Sequence, residues 1–520
     1  MVRPIESARP GSLARAAARW KADAGVADAA SNVSQIRPFA ALANRQGRPL
    51  RVAILSDFVR IPYANGAVFQ TRFLYQELVK AGHEVTIIGP ADPDASPEEL
   101  PPGTVAFPSL PLRTYPGVHL PVPFASWISD PDRWNFDICF AQTTSPLAEF
   151  GVWLRKMKGV PLLCVNTTHL AAAYGVLLPE RLSNIDAVHA GLELTLKRPM
   201  EQHYVRRFNE SDGLVVLSEG LRDYWYERGV RAPIHVIPRA VQPDIFDRPL
   251  GDDPYEALFA ATDGVDATTS RGPRLVCAGR HTREKAQDRV IRIFAKHVLP
   301  SEPDATLVMI GQGPDTVYYR RVAKELGVEG RVLFTGEVPF TRMRDYYAHA
   351  DIFVHASLSE TYGNVLGEAL WCGTPTVAFA DGMGVSSQVK DGVNGILLTP
   401  GKSASTEAEA DVAFGRAVVR LVRDPEARAR LGSAASRVAR ERAAPHVVQT
   451  KLANAFQSAQ DHVAASIVRP MIERPKALQW YTTMKHFRPW AAVVYGLYLF
   501  GHMRPSPHTL PRSMHPSIAR

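Results

Sequence analysis

Residues Asp351–Pro375 read Asp-Ile-Phe-Val-His-Ala-Ser-Leu-Ser-Glu-Thr-Tyr-Gly-Asn-Val-Leu-Gly-Glu-Ala-Leu-Trp-Cys-Gly-Thr-Pro. The opening, Asp351–Ala356, is a short apolar run that predicts a strand. Gly363 marks a turn, Asn364 opens a helix running to Cys372, and the next apolar run begins at Thr376. Strand, glycine turn, helix and strand in that order form a βαβ unit, which requires a parallel sheet.

The same alternation extends in both directions. Upstream of this unit, Arg274–Gly279, Thr306–Gly311 and Val332–Gly336 are apolar runs, and Ile396–Leu398 follows it. Helical patterns at Glu284–Val298 and Val317–Leu326 separate them. An earlier series comprises Arg51–Asp57, Glu84–Gly89, Asp137–Ala141, Pro161–Val165, Gly213–Ser218 and His235–Pro238, with a helix over Ala67–Ala81 closed by Gly82. Between the two series lies Asp247–Pro273, rich in Gly, Asp, Ala and Thr. The pattern predicts an α/β protein with two doubly wound domains. Ligands bind at the carboxyl ends of such strands, so two facing domains imply a cleft between them.

Five segments follow. Residues 1–48 form a basic, Ala-rich tail expected to be largely disordered, with a short helix around Leu13–Asp23. Residues 49–250 are the first domain, 251–272 a linker and 273–443 the second domain. Residues 444–520 form a helical return segment ending in an aromatic-basic tail with Trp480, Tyr481, Phe487 and Trp490 beside Lys476, Lys485 and Arg488. That tail suits packing against the first domain or contact with a lipid surface.

Composition narrows the function. The chain has 520 residues and a net charge of +8, a mild excess compatible with anionic ligands or an anionic membrane. The positive charge is dispersed and no recognition motif appears, so nucleic acid is not an expected partner. The cysteines, Cys139, Cys164, Cys277 and Cys372, are isolated, and buried reduced thiols are the expectation. The first residues lack an apolar core, so no secretory signal is expected, and Gly159–Pro179 carries polar residues at its centre. A cytoplasmic protein, soluble or peripheral to the inner face of the membrane, is expected.

Candidate chemistry gathers at strand ends. A glycine-containing turn at a helix start presents backbone N–H groups to an anion, and Gly363-Asn364-Val365 is such a turn. Glu360 and Glu368 flank it and can accept from hydroxyl-rich ligand parts. Arg280 and Lys285 follow the first strand of the second domain, where two cations could neutralise a diphosphate. In the first domain, Ile61-Pro-Tyr-Ala-Asn-Gly66 is another glycine turn at a helix start, and Asn166-Thr-Thr-His169 follows a strand. Asp92-Pro-Asp94 and Asp130-Pro-Asp132 mimic a metal-binding D-x-D but lie in Pro-rich segments apart from these motifs. No metal and no cofactor are expected.

Glu360 and Glu368, with Gly363-Asn364 between them, resemble the E-x7-E signature of the retaining glycosyltransferases of family 4. Arg280 and Lys285 after Gly279 are similar to that family's paired cations. Gly311-Gln-Gly313-Pro314, Phe334-Thr-Gly336-Glu-Val338 and Asp391-Gly392-Val-Asn394-Gly395 stand in family-like order. The resemblance covers about 50–460 and implies the GT-B fold: two Rossmann-like domains facing across a cleft. It implies that Glu360 contacts donor-sugar hydroxyls and Glu368 the nucleotide ribose. The backbone at Gly363, Asn364 and Val365 would hold the diphosphate beside Arg280 and Lys285. Val338 would meet the nucleobase, Gly66 would approach the phosphate, and His169 would stand near the reacting carbon. Two positions depart from the family: Thr361 follows Glu360 and Ala286 follows Lys285, where glycine is common.

The first-domain motifs look similar to the lipid-modifying branch, which includes phosphatidylinositol mannosyltransferases and sulfoquinovosyl- or galactosyl-diacylglycerol synthases. The expected activity is transfer of a sugar from a UDP- or GDP-sugar to an acceptor hydroxyl of a membrane lipid, or else of a glycan or small molecule. Two readings from other classes use the same cleft: a nucleotide-sugar epimerase, and a catalytically silent sugar-nucleotide-binding membrane adaptor.

Overall fold

Strand Arg51–Ser56 (β1) carries Val52, Ala53, Ile54 and Leu55 with no solvent exposure. A strand buried on both faces belongs at the centre of a parallel sheet covered by helices. The computed structural model describes residues 38–59, 66–92, 95–96, 99–111, 119–121, 133–143, 145, 147–167, 191, 195, 197–260, 272–357, 359–399, 406–466 and 470–499. The expected helix at Leu13–Asp23, together with His169, Asp94, Asp130 and Asp132, lies outside them.

The first domain adds Glu84–Pro90 (β2), Val105–Phe107 (β3), Ser109–Pro111 (β4), His119–Pro121 (β5), Ile138–Gln142 (β6), Leu162–Val165 (β7), Gly213–Val216 (β8) and Ile234–Val236 (β9). Its main sheet is parallel throughout, in the order β3-β2-β1-β6-β7-β8-β9, and β4 and β5 pair antiparallel beside it. The second domain contains Arg274–Ala278 (β10), Thr306–Ile310 (β11), Val332–Gly336 (β12), Ile352–His355 (β13), Thr376–Phe379 (β14) and Ile396–Leu398 (β15). They pair in parallel in the order β12-β11-β10-β13-β14-β15. The strand order reverses between β1 and β6 and again between β10 and β13, and such switch points open a crevice at the carboxyl edge.

Three expectations need correction. The tail is structured from Pro38 onward: Phe39 and Leu42 are buried, and the Phe39 ring lies 6.2 Å from that of Phe456. Leu50 N–H donates to His83 Nδ1 at 3.0 Å, so the ring proton sits on Nε2 and donates to the Phe39 carbonyl at 2.8 Å. Two apolar side chains with a buried face to join outweigh the polar composition around them. The segment 251–272 holds the helix Pro254–Ala260, whose Tyr255, Leu258 and Phe259 repeat at helical spacing. Tyr255 is fully buried and its hydroxyl donates to the Tyr346 carbonyl at 2.6 Å. The helix expected over Glu284–Val298 is broken into a turn at Arg283–Lys285, a left-handed Ala286, a helix over Gln287–Ile293 and a π-turn over Phe294–Val298.

Helices Gly66–Lys80 (α1) and Leu147–Lys158 (α2) flank the first sheet, and Asn364–Trp371 (α3) follows β13. The chain then recrosses to the first domain in Pro445–Ala465 (α4) and Lys476–Leu499 (α5). Val448, Leu452, Phe456 and Ala459 of α4 are buried against a layer containing Ile54, Phe140, Leu163 and Val215. In α5, Phe487 is buried, and Thr483 Oγ1 accepts from Trp153 Nε1 of α2 at 2.9 Å. Among the described residues no helix is long and apolar enough to cross a membrane.

Phe456 has no exposure, and its ring lies 6.2 Å from that of the N-terminal Phe39 and 5.7 Å from that of Phe140 on β6. Phe456→Ala is expected to destabilise the first domain by about 3–5 kcal/mol. Denaturant unfolding followed by circular dichroism checks this, and an unchanged midpoint would show that α4 does not carry that core.

Candidate active site

Two loops at the carboxyl edge of the second sheet build the site. The first follows β10. Gly279 turns with φ 141°, and the loop passes Arg280, His281 and Lys285 before Ala286. A Cβ at Gly311 would stand 2.2 Å from the Gly279 carbonyl oxygen, and one at Gly313 would stand 2.4 Å from that of His281. Gly311-Gln-Gly313 therefore lies backbone to backbone under the cation loop, which explains both glycines. His281 is fully buried, and burial lowers its pKa to about 4, so it sits neutral, with Nδ1 2.9 Å from Thr316 Oγ1. Its ring props the loop edge-on against Tyr319, whose hydroxyl donates to the Thr282 carbonyl at 2.8 Å.

Ala286 has φ 48°, the one non-glycine residue in the left-handed region among the described residues. The family departure thus falls where a side chain costs about 1–2 kcal/mol. The turn persists because Lys285 and Gln287 on either side are held in place, Gln287 by burial and Lys285 by an ion pair.

The second loop follows β13. Glu360 is 6% exposed, and its Oε1 accepts from Lys285 Nζ at 2.8 Å. His355 Nε2 stands 3.4 Å from the same oxygen. Burial by itself would raise the Glu360 pKa, but the lysine charge and then the histidine outweigh it, holding the carboxyl well below the usual carboxylate range. Glu360 is therefore a buried anion with an adjacent cation, not a solvated loop charge.

Two residues that the sequence reading passed over brace this loop. Asp381, at the carboxyl end of β14, accepts from the backbone N–H groups of Glu360, Met383, Val385 and Ser386 at 2.8–3.2 Å. Gln388 Nε2 donates to the Tyr362 and Gly363 carbonyls. An Asp-Gly pair after a strand signals a turn, but nothing in the sequence tells which loop it supports.

Gly363 precedes α3 with φ 83° and caps it without a side chain. The first N–H groups of a helix have no intrahelical acceptor, so those near Asn364 and Val365 remain available to an anion. Four residues on, Glu368 is half-buried and accepts from the Tyr347 hydroxyl at 3.0 Å. Burial raises its pKa to about 7, and the tyrosine only partly offsets that rise.

A shallow pocket, open to solvent, is lined from both domains. Its walls include Asn364, Glu368 and Phe340 from the second domain and Gln70 from α1, one turn after Gly66. Arg239, on the crossing segment, also lines it. Arg239 donates from Nη1 to Asn364 Oδ1 at 3.3 Å, while its buried Nε has no partner. Burial lowers its pKa to about 10, and nearby Tyr362 and Glu360 act in the opposite direction. An arginine beside the α3 terminus gives the cleft a further cation that no sequence motif announced. Val338 packs among apolar neighbours next to Phe340.

The domains also touch at the rim. Thr361, the other family departure, donates from Oγ1 to the Thr167 carbonyl across the cleft at 3.1 Å. Gly220 meets the Gly382 backbone so closely that a Cβ there would lie 1.9 Å from its oxygen. Arg442 adds an ion pair with Glu219 at 3.2 Å. The arrangement brings together an uncapped helix start, cations and a buried carboxylate at the cleft.

Comparison with known proteins agrees with this layout. A model described as Glycosyltransferase Family 4 matches residues 64–245, and one described as Glycosyl transferases group 1 matches residues 266–438. An alpha-monoglucosyldiacylglycerol synthase of Streptococcus pneumoniae is 28% identical over 333 residues, covering 63% of this chain and 71% of that enzyme. A D-inositol 3-phosphate glycosyltransferase of Kribbella flavida is 32% identical over 222 residues, covering 40% of this chain and 50% of that enzyme. Among solved structures, Anabaena HepE in complex with UDP matches with a TM-score of 0.58 at 18% identity, over 78% of this chain and all of its own. That last likeness concerns the fold.

Two outcomes follow from the geometry. Ala286→Gly should stabilise the protein by about 1 kcal/mol, because glycine adopts φ 48° without penalty; a lower unfolding midpoint would show that the turn is not strained. Glu368 holds its proton in the folded state up to about pH 7 but loses it near 4.5 when unfolded. The native state then binds the extra proton, so this group's contribution to stability falls as pH rises from about 4.5 to about 7. Glu368→Gln should remove that fall, gaining on the wild type by on the order of 2 kcal/mol between about pH 5 and pH 8. Parallel denaturation curves across that range check it.

Proposed function

We propose, from the premise that this chain is a family 4 glycosyltransferase with the GT-B fold, that it transfers a sugar from a nucleoside diphosphate sugar to a hydroxyl of a membrane glycerolipid, retaining the anomeric configuration. The observation that carries the reading is the Lys285–Glu360 pair at 2.8 Å beside the uncapped start of α3. A cation, a carboxylate able to accept from hydroxyls and uncapped helix N–H groups close together support a site for a sugar diphosphate. The diacylglycerol-directed relative supports a lipid acceptor, and the UDP-bound structure is consistent with a uridine donor.

In this reading, the backbone of Gly363, Asn364 and Val365 holds the diphosphate with Arg280 and Lys285. Glu360 accepts from the donor-sugar hydroxyls, and Glu368 from the ribose. Val338 borders the nucleobase and Gly66 approaches the phosphate. The acceptor oxygen attacks the anomeric carbon on the face the diphosphate leaves. The bond from that carbon to the phosphate oxygen breaks, and the departing oxygen takes the acceptor proton. No protein nucleophile is used, and the cations on this chain can balance the leaving charge without a metal. Closure of the cleft orients both substrates and excludes water, which would hydrolyse the donor.

Lys285→Ala makes an ambiguous probe, because it strands the buried Glu360 and should destabilise the fold by about 3–5 kcal/mol. Arg280→Ala leaves that pair intact and is the better variant. UDP, GDP and ADP are compared by thermal shift, and a ligand at about 100 times its Kd adds about 2.7 kcal/mol. One nucleotide should stabilise the wild type and less so Arg280→Ala, whose sugar transfer to diacylglycerol or phosphatidylinositol should fall about 10²–10³-fold. No stabilisation by any nucleotide, with no transfer, would favour the silent adaptor. Sugar isomerisation without an acceptor would favour the epimerase.

A further inference from the structure

We propose that α5 is a docking surface for an anionic lipid bilayer and that it delivers the mouth of the cleft to the membrane. The inference deepens the lipid-acceptor reading but stands on separate observations.

The first is exposure. Leu478, Trp480 and Tyr481 are 43%, 63% and 61% exposed, three large apolar side chains within four residues. The other large apolar residues exposed among the described residues, such as Val79, Tyr226 and Val317, are scattered singly. These three are not spare core: the inner face of the helix is already filled by Thr482, Thr483, His486 and Phe487, all buried. Trp and Tyr favour the boundary between water and lipid headgroups.

Charge identifies the occupant. From Arg474 to Arg520 the sequence contains no Asp or Glu, and it carries Arg474, Lys476, Lys485, Arg488, Arg504, Arg512 and Arg520. Lys476, Lys485 and Arg488 are exposed on the described part of the helix. A second copy of the chain meeting this face symmetrically would set like charges against each other, whereas an anionic headgroup layer complements them. Between Arg488 and Arg504 no Lys or Arg interrupts the sequence. That run is too short to span a bilayer but suits shallow insertion.

Direction supplies the functional link. Thr483 meets Trp153, and three residues later His486 Nδ1 stands 3.3 Å from Glu149 Oε2. As α5 advances, α2 recedes toward its own start, so the two run antiparallel. Glu149 lies in the first turn of α2, at the carboxyl edge of the first sheet. The remaining residues of α5, from His486 to Leu499, therefore run on past that edge by roughly 20 Å at 1.5 Å per residue. The uncharged end of the helix projects on the cleft side of the first domain.

The test is co-sedimentation of the full chain with vesicles of phosphatidylcholine alone or with about 30% phosphatidylglycerol, at low and high salt. The wild type should partition at least about tenfold more strongly onto the anionic vesicles and be released by about 0.5 M salt. Trp480→Glu with Tyr481→Glu, and separately Lys485→Glu with Arg488→Glu, should each weaken binding about tenfold. All these side chains are exposed, so thermal unfolding and nucleotide stabilisation should match the wild type. Retained nucleotide stabilisation with no vesicle binding by the wild type overturns the docking proposal and leaves the donor site standing. Variants that bind as well as the wild type, or a wild type that self-associates through this helix instead of sedimenting with vesicles, overturn it too.

Discussion

A carboxylate withdrawn from water beside a single lysine organises this molecule. Glu360 is held as an anion only because Lys285 lies 2.8 Å away and His355 stands behind it. An unpaired charge at that depth would be untenable, so the two loops that carry the pair must hold each other's positions. The rest of the second domain serves that requirement. Glycines let one loop rest on the backbone of the next, Asp381 gathers four N–H groups around the other, and a left-handed Ala286 aims the lysine.

The cleft depends on a second constraint, the return of the chain to its first domain. Phe456 and its neighbours on α4 bury themselves in the layer that holds Phe140 and Leu163, and α5 packs on α2 behind them. With the chain crossing twice between domains, Thr361 can reach Thr167 and Gly220 can meet Gly382. The contact at Thr361 uses a hydroxyl where the family commonly has glycine, so that departure adds a bond across the cleft. Arg239 belongs to the first crossing, which is how a cation remote from the motifs comes to face Asn364.

The sheets were readable because a strand buried on both faces is a continuous apolar run: Arg51–Ser56 and Thr306–Ile310 announce themselves. The short strands β3, β4 and β5 lie in a Pro-rich stretch that reads as loop, whereas the equally short Ile396–Leu398 is a bare apolar run and is readable. Phe39 and Tyr255 sit in polar surroundings that read as tail and linker, and only a distant partner surface explains their order. At the site, Lys285, Glu360 and Glu368 were legible as residue types at spaced positions. Their burial, their pairing and the opposite pKa shifts of the two carboxylates were not.

The sequence by itself determined the paired α/β architecture, the loops that carry the chemistry and the family to which the chain belongs. Those follow from local periodicity and from glycine turns, which neighbouring residues specify. The tertiary structure alone decided that Glu360 is charged and Glu368 holds its proton near neutrality, that Arg239 faces the cleft, and that the acid-free helix points past its rim. Each of these depends on what water is excluded and which distant segment fills the space, and chain order does not encode that directly.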